Sequence, residues 1–541
     1  MRPLQTALDP RSDAWRRAAG WMSALLDEIR SVERRAAEAA DRVRDRYAAR
    51  GELLPRERLA HLLDRGRPFL EIGALAGYLL DDDTDGTLAG GGVITGIGWV
   101  CGVRCVVHAD NFVVKGGTVS HQGILKKMRF QQIARENKLP IVSLAQSGGA
   151  NLKYVSDYFL EGARFFADRA RLSAFGLPQI TVVHGSATAG GAYDPGLSDY
   201  MIMVRGKATM YLAGPPLLKA ATGQIATDEE LGGAEMHCRI AGSAEYLAED
   251  DADGIRIARE VLAALQWNRH LPAQPEPAFD PPLYPQEDLL GVVPEDPKIP
   301  FDMREVIARV ADGSRFLEFK SEYDNGTLCG HVTIEGLPAG IVANNFPITA
   351  NGAAKAAQFI QLCDQAMVPL IFMHNTTGFL VGTEQEQAGI IKHGSKMIQA
   401  VANTRVPRIA LMIGGSFGAG NYAMCGRGLD PQFIFAWPSS RVAVMGGAQA
   451  GMVLRIVAEN RAARTGVPLD DATRARVERE AAESQRLLDD KSRALYATAR
   501  LWDDGVIDPR DTRRLLAELL RTSRDAAARR LNPNSFGVAR F

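Results

Sequence analysis

Glycine-rich turns that follow apolar, strand-like runs are the residues of this sequence best suited to chemistry. The run LPQITVVHGSATAGGAY at 177–193 has a second copy, VPRIALMIGGSFGAGNY, at 406–422. Gly191 and Gly420 occupy the same place in the two copies. Such glycines expose backbone N–H groups, because no Cβ blocks the approach of a ligand. The pattern predicts two related sites.

Each copy carries a second glycine-rich turn upstream. SGGA ends the run LPIVSLAQSGGA at 139–150, and NTTGF ends VPLIFMHNTTGF at 368–379. Two amide N–H groups aimed at one point form an oxyanion hole, which stabilises a carbonyl that becomes an enolate. Thioesters such as acyl-CoA suit this chemistry. The alternative is that the glycines only permit close packing of strands and helices. Their recurrence in both copies favours oxyanion holes.

Side-chain catalysts have weaker support in the sequence. Ser416 in GGSFG resembles the GxSxG turn of serine hydrolases, but its counterpart is Ala187, and no His or acid is marked out as its partner. His184 and His374 are predicted to be hydrogen-bonded core residues. Neither a phosphate-binding loop nor a dinucleotide fingerprint occurs. The sequence therefore predicts catalysis by backbone groups.

Composition argues against several classes of partner. The 63 basic and 64 acidic residues nearly balance, which disfavours nucleic acid or an anionic membrane as the main partner. No run of about eighteen apolar residues occurs. The six cysteines form no CxxC pair, and Cys101 and Cys105 are predicted to be half-buried thiols on a hairpin. The acidic run DDDTD at 81–85 lacks the terminal Glu of a calcium loop and predicts a surface turn. We expect no metal in this chain and a cytoplasmic location.

The surrounding pattern alternates strands and helices, which is typical of an α/β fold with sites at the carboxyl ends of strands. The second half repeats the order of the first: FLE at 69–71 recurs at 316–318, GVRCVVHADN at 102–111 recurs as GLPAGIVANN at 336–345, and the glycine turns follow in the same order. This repetition predicts two homologous domains. The predicted divisions are a helical segment at 1–67, a first domain at 68–270, a proline-rich linker at 271–298 and a second domain at 299–541.

Longer motifs resemble the carboxyltransferase β subunits of biotin-dependent acyl-CoA carboxylases over nearly the whole chain. The motifs are RGELLPRERLAHLLD, SGGA, TAGGAY, LAGPPLLKAATG, ELGGAEMH, NTTGFLVGTEQEQAGIIKHGSKM, GGSFGAGNYAMCGR and AWPSSRVAVMGGAQA. The resemblance implies a crotonase-like (ClpP/crotonase superfamily) fold in both domains. It also implies a biotin-carrying α subunit as partner, with a biotin carboxylase and a carrier domain. The β subunits would form a hexamer within a heterododecamer, with each active site shared between neighbouring β subunits.

The same resemblance assigns roles to the glycine turns. Gly190 and Gly191 would hold the acyl-CoA carbonyl as it becomes an enolate, and Ala419 and Gly420 would hold the ureido oxygen of biotin. The remaining acyl-CoA-binding residues would be Gly148, Gly149, Ala150, Ala189, Ala192 and Tyr193. The remaining biotin-binding residues would be Thr377, Gly378, Phe379, Phe417 and Gly418. Carboxybiotin would release CO2, the biotin enolate would take the acidic proton, and the acyl enolate would attack CO2.

Departures and variable segments refine the expectation. The chain has no Met-Lys-Met biotin attachment motif, so biotin must arrive on another chain, and it lacks a four-cysteine zinc ribbon. MCGRGLDP, FAWPSS and NSFGVARF resemble the branch that carboxylates the γ-carbon of 3-methyl α,β-unsaturated acyl-CoAs. The segment SGGANLKYVSDYFLEGARFF is closer to geranyl-CoA carboxylases, which favours geranyl-CoA over 3-methylcrotonyl-CoA.

Two alternatives stay open at this point. A stand-alone crotonase-like hydratase or thioesterase would need a carboxylate near the glycine turns, for which Asp194 and Glu161 are candidates; an inert scaffold would need no such turns. Four basic residues near the expected CoA entrance could contact phosphate or belong to a solvated helix face. They are Lys115, Lys126, Lys127 and Arg129.

Overall fold

The computed structural model describes residues 2–151, 153–466 and 468–540, and the chain forms two compact units. The N unit contains residues 30–273, with Ala499–Leu501 and residues 522–540. The C unit contains residues 2–29, Gln274–Thr498 and Trp502–Arg521. Each unit has its own sheet and its own apolar core. No helix in the described ranges is both long enough and apolar enough to cross a membrane.

The helices and strands follow the alternation predicted from the sequence. The elements of residues 13–264 are α1 (Asp13–Asp41), α2 (Arg44–Ala48), α3 (Pro55–Leu62), β1 (Leu70–Glu71), β2 (Val93–Val100), β3 (Val103–Asp110), α4 (His121–Glu136), β4 (Ile141–Ser147), α5 (Phe159–Ala174), β5 (Gln179–Thr188), α6 (Gly190–Gly196), β6 (Tyr200–Val204), β7 (Thr209–Tyr211), α7 (Pro215–Thr222), α8 (Asp228–Gly232), β8 (Tyr246–Ala248) and α9 (Asp251–Ala264). The elements of residues 304–528 are α10 (Arg304–Val310), β9 (Leu317–Glu318), β10 (Thr327–Ile334), β11 (Leu337–Asn344), α11 (Ala350–Gln365), β12 (Leu370–Thr376), α12 (Thr383–Gln387), α13 (Ile390–Asn403), β13 (Arg408–Phe417), α14 (Gly418–Ala423), β14 (Phe433–Ala436), β15 (Arg441–Ala443), α15 (Gly447–Thr465), α16 (Asp471–Ser492), α17 (Ala494–Ala499) and α18 (Thr512–Ala528).

The N-unit sheet has the strand order β1-β2-β3-β4-β5-β6-β8, and β7 pairs with the far end of β5. Strands β1 to β3 are antiparallel, whereas β3 to β6 and β8 run parallel. The β2–β3 hairpin turns at Cys101 and Gly102, which both have positive φ, as a two-residue hairpin of type I′ requires. Strands β3 and β4 are buried along their whole length, which explains their continuous apolar runs.

Over the part of the chain that the structure describes, the C-unit sheet repeats this topology except that it has no counterpart of β8. Its order is β9-β10-β11-β12-β13-β14, with β15 paired to the far end of β13, and its hairpin turns at Glu335 and Gly336, again with positive φ. The motifs that recur in the sequence fall on equivalent strands: β1 and β9, β3 and β11, β4 and β12, and β5 and β13. The predicted α/β fold with internal duplication is confirmed.

Candidate active site

The turn after β5 in the N unit is built around Ala189. Its φ of 52° and ψ of −122° form a conformation that costs an L-residue energy, and its N–H donates to the Tyr211 carbonyl at 3.0 Å. This turn lets α6 begin at Gly190 without a longer loop. The N–H groups of Gly190 and Gly191 therefore stand in the first turn of a helix, where they have no acceptor within the helix.

The turn after β4 lies against this helix start. The Gly149 N–H donates to Ser147 Oγ at 3.1 Å, and Ser147 Oγ donates to the Gly117 carbonyl at 3.2 Å. A Cβ on Gly191 would lie 2.9 Å from Ser147 Oγ and 3.7 Å from the Gly149 Cα. A side chain at 191 would have to displace Ser147, so the start of α6 lies against the turn after β4 and the two predicted turns of this half are brought together.

Aromatic side chains border the exposed side of that site. A Cβ on Gly190 would have the ring of Phe166 as its nearest neighbour, at 3.8 Å. The Phe166 and Tyr193 rings lie 5.7 Å apart between centroids, and Tyr193 remains 49% exposed. Ala192 is buried behind them, and Ala150 pairs with Val119. The site therefore has an apolar wall beside its free N–H groups.

The C unit has the same arrangement of two glycine turns in contact. Gly418 has a φ of 53°, close to that of Ala189, and it begins α14. The Gly378 N–H donates to Thr376 Oγ1 at 3.2 Å, as Gly149 does to Ser147. A Cβ on Gly420 would lie 2.8 Å from the Gly378 Cα. The predicted glycine turns of this half are also brought together.

The two sites differ in the positions of the large side chains around them. In the C unit the ring of Phe379 fills the space above Gly394, where a Cβ would meet it at 2.9 Å. In the N unit the equivalent positions hold Ala150 and the buried Phe165. Thr377 and Ala419 are exposed at the C-unit site, whereas Phe417 is half-buried. The sites thus share a backbone plan and differ in the side chains around it.

Sequence reasoning missed the hydroxyl groups that hold the turns. Ser147 and Thr376 are buried at equivalent ends of β4 and β12, and each accepts the N–H of the glycine two positions later. A hydroxyl residue two positions before the glycine in both copies was the available signal. Phe166, which borders Gly190, carries no such repeat, because its counterpart is Ser395.

Ser416 has a histidine partner that could not be identified from the sequence. The sequence marked out no partner for it, but His374 Nδ1 lies 2.8 Å from Ser416 Oγ, and Asn421 Nδ2 donates to the same oxygen at 2.8 Å. Burial lowers the pKa of His374 to about 3, so the imidazole is neutral. Ser416 is itself fully buried, which keeps its hydroxyl from any substrate carbonyl. His374 is a hydrogen-bonded core histidine, as predicted, and so is His184, which bonds Asp251.

The basic residues of α4 match neither interpretation offered above. Lys126, Lys127 and Arg129 are all buried, so they are neither solvated nor available to phosphate at the surface. Lys126 donates to the Val93 carbonyl at 2.6 Å, and Lys127 lies 2.9 Å from Asp110 Oδ1. The spacing of charged residues along a helix does not show which strands and helices will pack around their side chains.

Asp194 is unsuited to proton transfer. Burial alone would raise its pKa, but the ion pairs with Arg169 and Lys127 outweigh burial and hold the pKa below its ordinary value. The carboxylate is therefore charged and already engaged. A hydratase or thioesterase that used Asp194 as its acid or base is disfavoured.

Comparison with known proteins decides the family. The model of the carboxyl transferase domain family matches residues 46–536. A probable biotin-dependent acyl-coenzyme A carboxylase β2 subunit from Mycobacterium tuberculosis is 48% identical over 540 residues, which cover 99% of this chain and 100% of that protein. This chain is a carboxyltransferase β subunit of the biotin-dependent acyl-CoA carboxylase family.

Other members resemble this β subunit along its length. The β subunit of geranyl-CoA carboxylase from P. aeruginosa, a crystal structure, is 58% identical with a TM-score of 0.94, and the match covers 100% of both chains. The mitochondrial methylcrotonoyl-CoA carboxylase β chain of Dictyostelium discoideum is 43% identical over 529 residues, 96% of this chain and 88% of that protein. Both units of this β subunit have the crotonase-like fold, and the family predicted from its motifs is confirmed.

Proposed function

We propose that this β subunit transfers a carboxyl group from biotin, carried by a partner α subunit, to the γ-carbon of geranyl-CoA. The observation that carries the choice of substrate is the 58% identity to the geranyl-CoA carboxylase β subunit across both whole chains. Identity to the Dictyostelium methylcrotonoyl-CoA carboxylase β chain is 43%. 3-Methylcrotonyl-CoA is the second candidate, because its γ-carbon has the same vinylogous relation to the thioester.

The N-unit site is assigned to the acyl thioester. Loss of a γ-proton leaves a dienolate whose negative charge rests largely on the thioester oxygen. The N–H groups of Gly190 and Gly191 stabilise that oxygen from fixed positions, so no reorganisation is needed as the charge develops. The other residues assigned to acyl-CoA are Gly148, Gly149, Ala150, Ala189, Ala192 and Tyr193. The new C–C bond forms between the γ-carbon and the incoming carboxyl carbon.

The C-unit site is assigned to biotin. Biotin supplies the carboxyl group in activated form and, once that group has left, a basic ureido oxygen. The site fits a planar ureido group, because the cradle between Gly420 and Gly378 is so narrow that a Cβ would fill it. The N–H groups of Ala419 and Gly420 would hold the ureido oxygen. The remaining biotin contacts are assigned to Thr377, Gly378, Phe379, Phe417 and Gly418.

A glycine in α5 supports the longer acyl chain. Gly162 stands in the interior of the helix, where glycine costs about 1 kcal/mol relative to alanine. Nothing lies within 4 Å of the Cβ it lacks, so close packing does not require it. It precedes Phe166 by one turn on the same helix face, and the Phe166 ring borders Gly190. The missing side chain leaves open space along the apolar wall, which suits the second isoprene unit of a geranyl group.

The proposed assembly follows the resemblance. We assign a biotin-carrying α subunit as partner and a hexamer of β subunits within a heterododecamer, with each active site shared between neighbouring β subunits. None of the six cysteines, all of which lie in the described ranges, forms a disulfide, which is in keeping with the cytoplasmic location proposed here.

The deciding experiment combines this chain with the carboxylated α subunit and compares geranyl-, 3-methylcrotonyl- and propionyl-CoA. We expect kcat/KM to be highest for geranyl-CoA, lower for 3-methylcrotonyl-CoA and lowest for propionyl-CoA. A preference for 3-methylcrotonyl-CoA would change the proposed substrate and leave the proposed reaction unchanged. Turnover of an acyl-CoA without any biotinylated partner would overturn the carboxyltransferase assignment of the two sites.

A further inference from the structure

Four charged side chains form a buried cluster beneath α6. Lys127 Nζ lies 2.9 Å from Asp110 Oδ1 and 3.4 Å from Asp194 Oδ2, and Arg169 Nη2 lies 3.0 Å from Asp194 Oδ1. All four residues are at most 4% exposed. Asp194 belongs to α6, Lys127 to α4, Arg169 to α5 and Asp110 to β3. The cluster therefore ties the helix that begins at Gly190 to three other elements.

The neighbouring contacts reinforce the same helix. Arg169 Nη2 donates to the Asp194 carbonyl at 3.1 Å and to Ser198 Oγ at 2.8 Å. His108 Nε2 lies 3.1 Å from Asp110 Oδ1, and burial together with Lys127 holds the pKa of His108 below its ordinary value. His108 is thus neutral, and the cluster contains two positive and two negative charges.

The C unit builds the same fold without these charges. In the alignment of the two sheets, the four positions are occupied by uncharged residues: Asn344 for Asp110, Ala356 for Lys127, Ile398 for Arg169 and Ala423 for Asp194. Helix α14 nevertheless follows β13 as α6 follows β5, with its first residue one position earlier. The internal repeat therefore acts as a natural control, because it shows that the architecture forms when the cluster is replaced by largely apolar residues.

Lys126, the residue before Lys127, is a buried lysine with a structural role in this fold. Lys126 and Lys355 occupy equivalent positions, and both are fully buried. Lys126 donates to the Gly90 carbonyl at 3.2 Å, and Lys355 donates to the equivalent carbonyl of Asp324 at 3.1 Å. A lysine is therefore present at this position in both halves, and in each half it donates to an equivalent backbone carbonyl. Lys127, the next residue along the helix, has a partner cluster in the N unit alone.

A second difference between the halves explains why α6 needs the ion-pair cluster to hold it in position. The residue between β5 and α6 is Ala189, at a φ of 52° that favours glycine, whereas the equivalent residue in the C unit is Gly418. A rotation of α6 that relaxed the φ of Ala189 would also turn the N–H groups of Gly190 and Gly191, because both belong to the first turn of that helix. Buried ion pairs are costly to form, so their retention in one half alone points to a role beyond stability.

We infer that Asp194, held by Lys127 and Arg169, is the positioning residue of the acyl oxyanion hole, and that it fixes α6 against the strain at Ala189. The inference rests on the proposed role of Gly190 and Gly191. Asp194 follows Gly191 by about one helical turn, so its ion pairs set the direction of the first-turn N–H groups. Oxyanion holes act only when their donors stand at the correct distance and angle, so a small rotation costs rate more than substrate affinity.

The test uses the β subunit assembled with its biotin-carrying partner, with geranyl-CoA and 3-methylcrotonyl-CoA as substrates. Asp194→Asn keeps the shape and removes the charge. We expect kcat to fall about 100-fold with both substrates while KM changes less than about threefold. Ala189→Gly in the Asp194→Asn background relieves the strain, and we expect it to restore kcat by about tenfold. A residue needed only for folding would not be rescued by a glycine at 189.

The control transplants the residues of the C unit into the N unit, with Asp110→Asn, Lys127→Ala, Arg169→Ile and Asp194→Ala together. We expect this variant to fold, by its thermal transition and its assembly with the partner, and to show the same loss of kcat. Wild-type kcat in Asp194→Asn would overturn the inference, as would failure of both the single and the fourfold variant to fold. A wild-type protein that carboxylates no acyl-CoA would instead overturn the proposed function.

Discussion

A Cβ added to Gly420 would lie 2.8 Å from the Cα of Gly378, which is closer than side chains approach backbone atoms in folded proteins. The obstacle is main chain and cannot rotate away. Gly420→Ala must therefore displace the turn after β12 or the start of α14. We expect kcat to fall by about 100-fold or more, by the same factor with geranyl-CoA and 3-methylcrotonyl-CoA, because the damaged site is the one assigned to biotin. Steady-state kinetics with both substrates measure this.

Gly196→Ala is the matched control for that loss. Gly196 lies in α6, its φ is not positive, and nothing lies within 4 Å of the missing Cβ. We expect wild-type kinetics from this variant. Equal activity of Gly420→Ala and Gly196→Ala would show that the narrow cradle has no part in the reaction.

Gly162→Phe should change the preferred acyl chain. A ring at this position would occupy the open space on the face of α5 that also carries Phe166. We expect kcat/KM for geranyl-CoA to fall by about 100-fold and that for 3-methylcrotonyl-CoA to change by less than about threefold. The measurement is the ratio of the two values in one preparation.

Gly162→Ala separates chain-length selection from helix stability. Alanine stabilises a helix interior by up to about 1 kcal/mol relative to glycine and leaves most of the open space free. This variant should melt at a slightly higher temperature and keep its preference. If Gly162→Phe accepted both substrates equally well, the space beside Phe166 would not hold the acyl chain.

Ser416→Ala should leave the reaction nearly intact. Ser416 Oγ binds His374 and Asn421, so its removal takes one hydrogen bond from a buried histidine and one from a half-buried asparagine. We expect a loss of about 1–3 kcal/mol of stability and less than about a tenfold change in kcat. Removal of a nucleophilic serine would instead cost about 10⁴-fold or more. Ser439→Ala, which removes another buried hydroxyl of the C unit, is the control for the loss of stability.

Asp503 should make stability depend on pH. Burial, reinforced by the neighbouring Asp504, raises the pKa of Asp503 from 3.8 to about 7. Between these values the folded protein holds a proton that the unfolded chain releases, so the free energy of unfolding falls as pH rises. Asp503→Asn cannot ionise and should remove this fall, which amounts to at most about 4 kcal/mol. Melting temperatures at about pH 5 and about pH 8 give the comparison, and parallel shifts in both proteins would contradict the assignment.

The sequence by itself determined the duplication and the glycine turns. The motif copies that recur along the chain reappear as equivalent strands, because a repeated chain with the same apolar pattern folds into the same sheet twice. The pairing of SGGA with TAGGAY and of NTTGF with FGAGNY also follows from the sequence, since neighbouring parallel strands end at the same edge. The activity was predicted from the resemblance of longer motifs to the carboxyltransferase family, and some of these motifs contain the glycine turns.

The tertiary structure decided what the charged and polar side chains do. Lys126 and Lys127 are neighbours in a helix, yet one binds backbone carbonyls and the other enters an ion cluster with Asp110 and Asp194. Their partners come from strands and helices distant in the chain, and burial reverses the solvated role that a charged helix suggests. The contact between His374 and Ser416 arises in the same way, because parallel pairing sets β12 beside β13. Local pattern specifies backbone, whereas the environment of an ionisable group exists only once distant segments have packed around it.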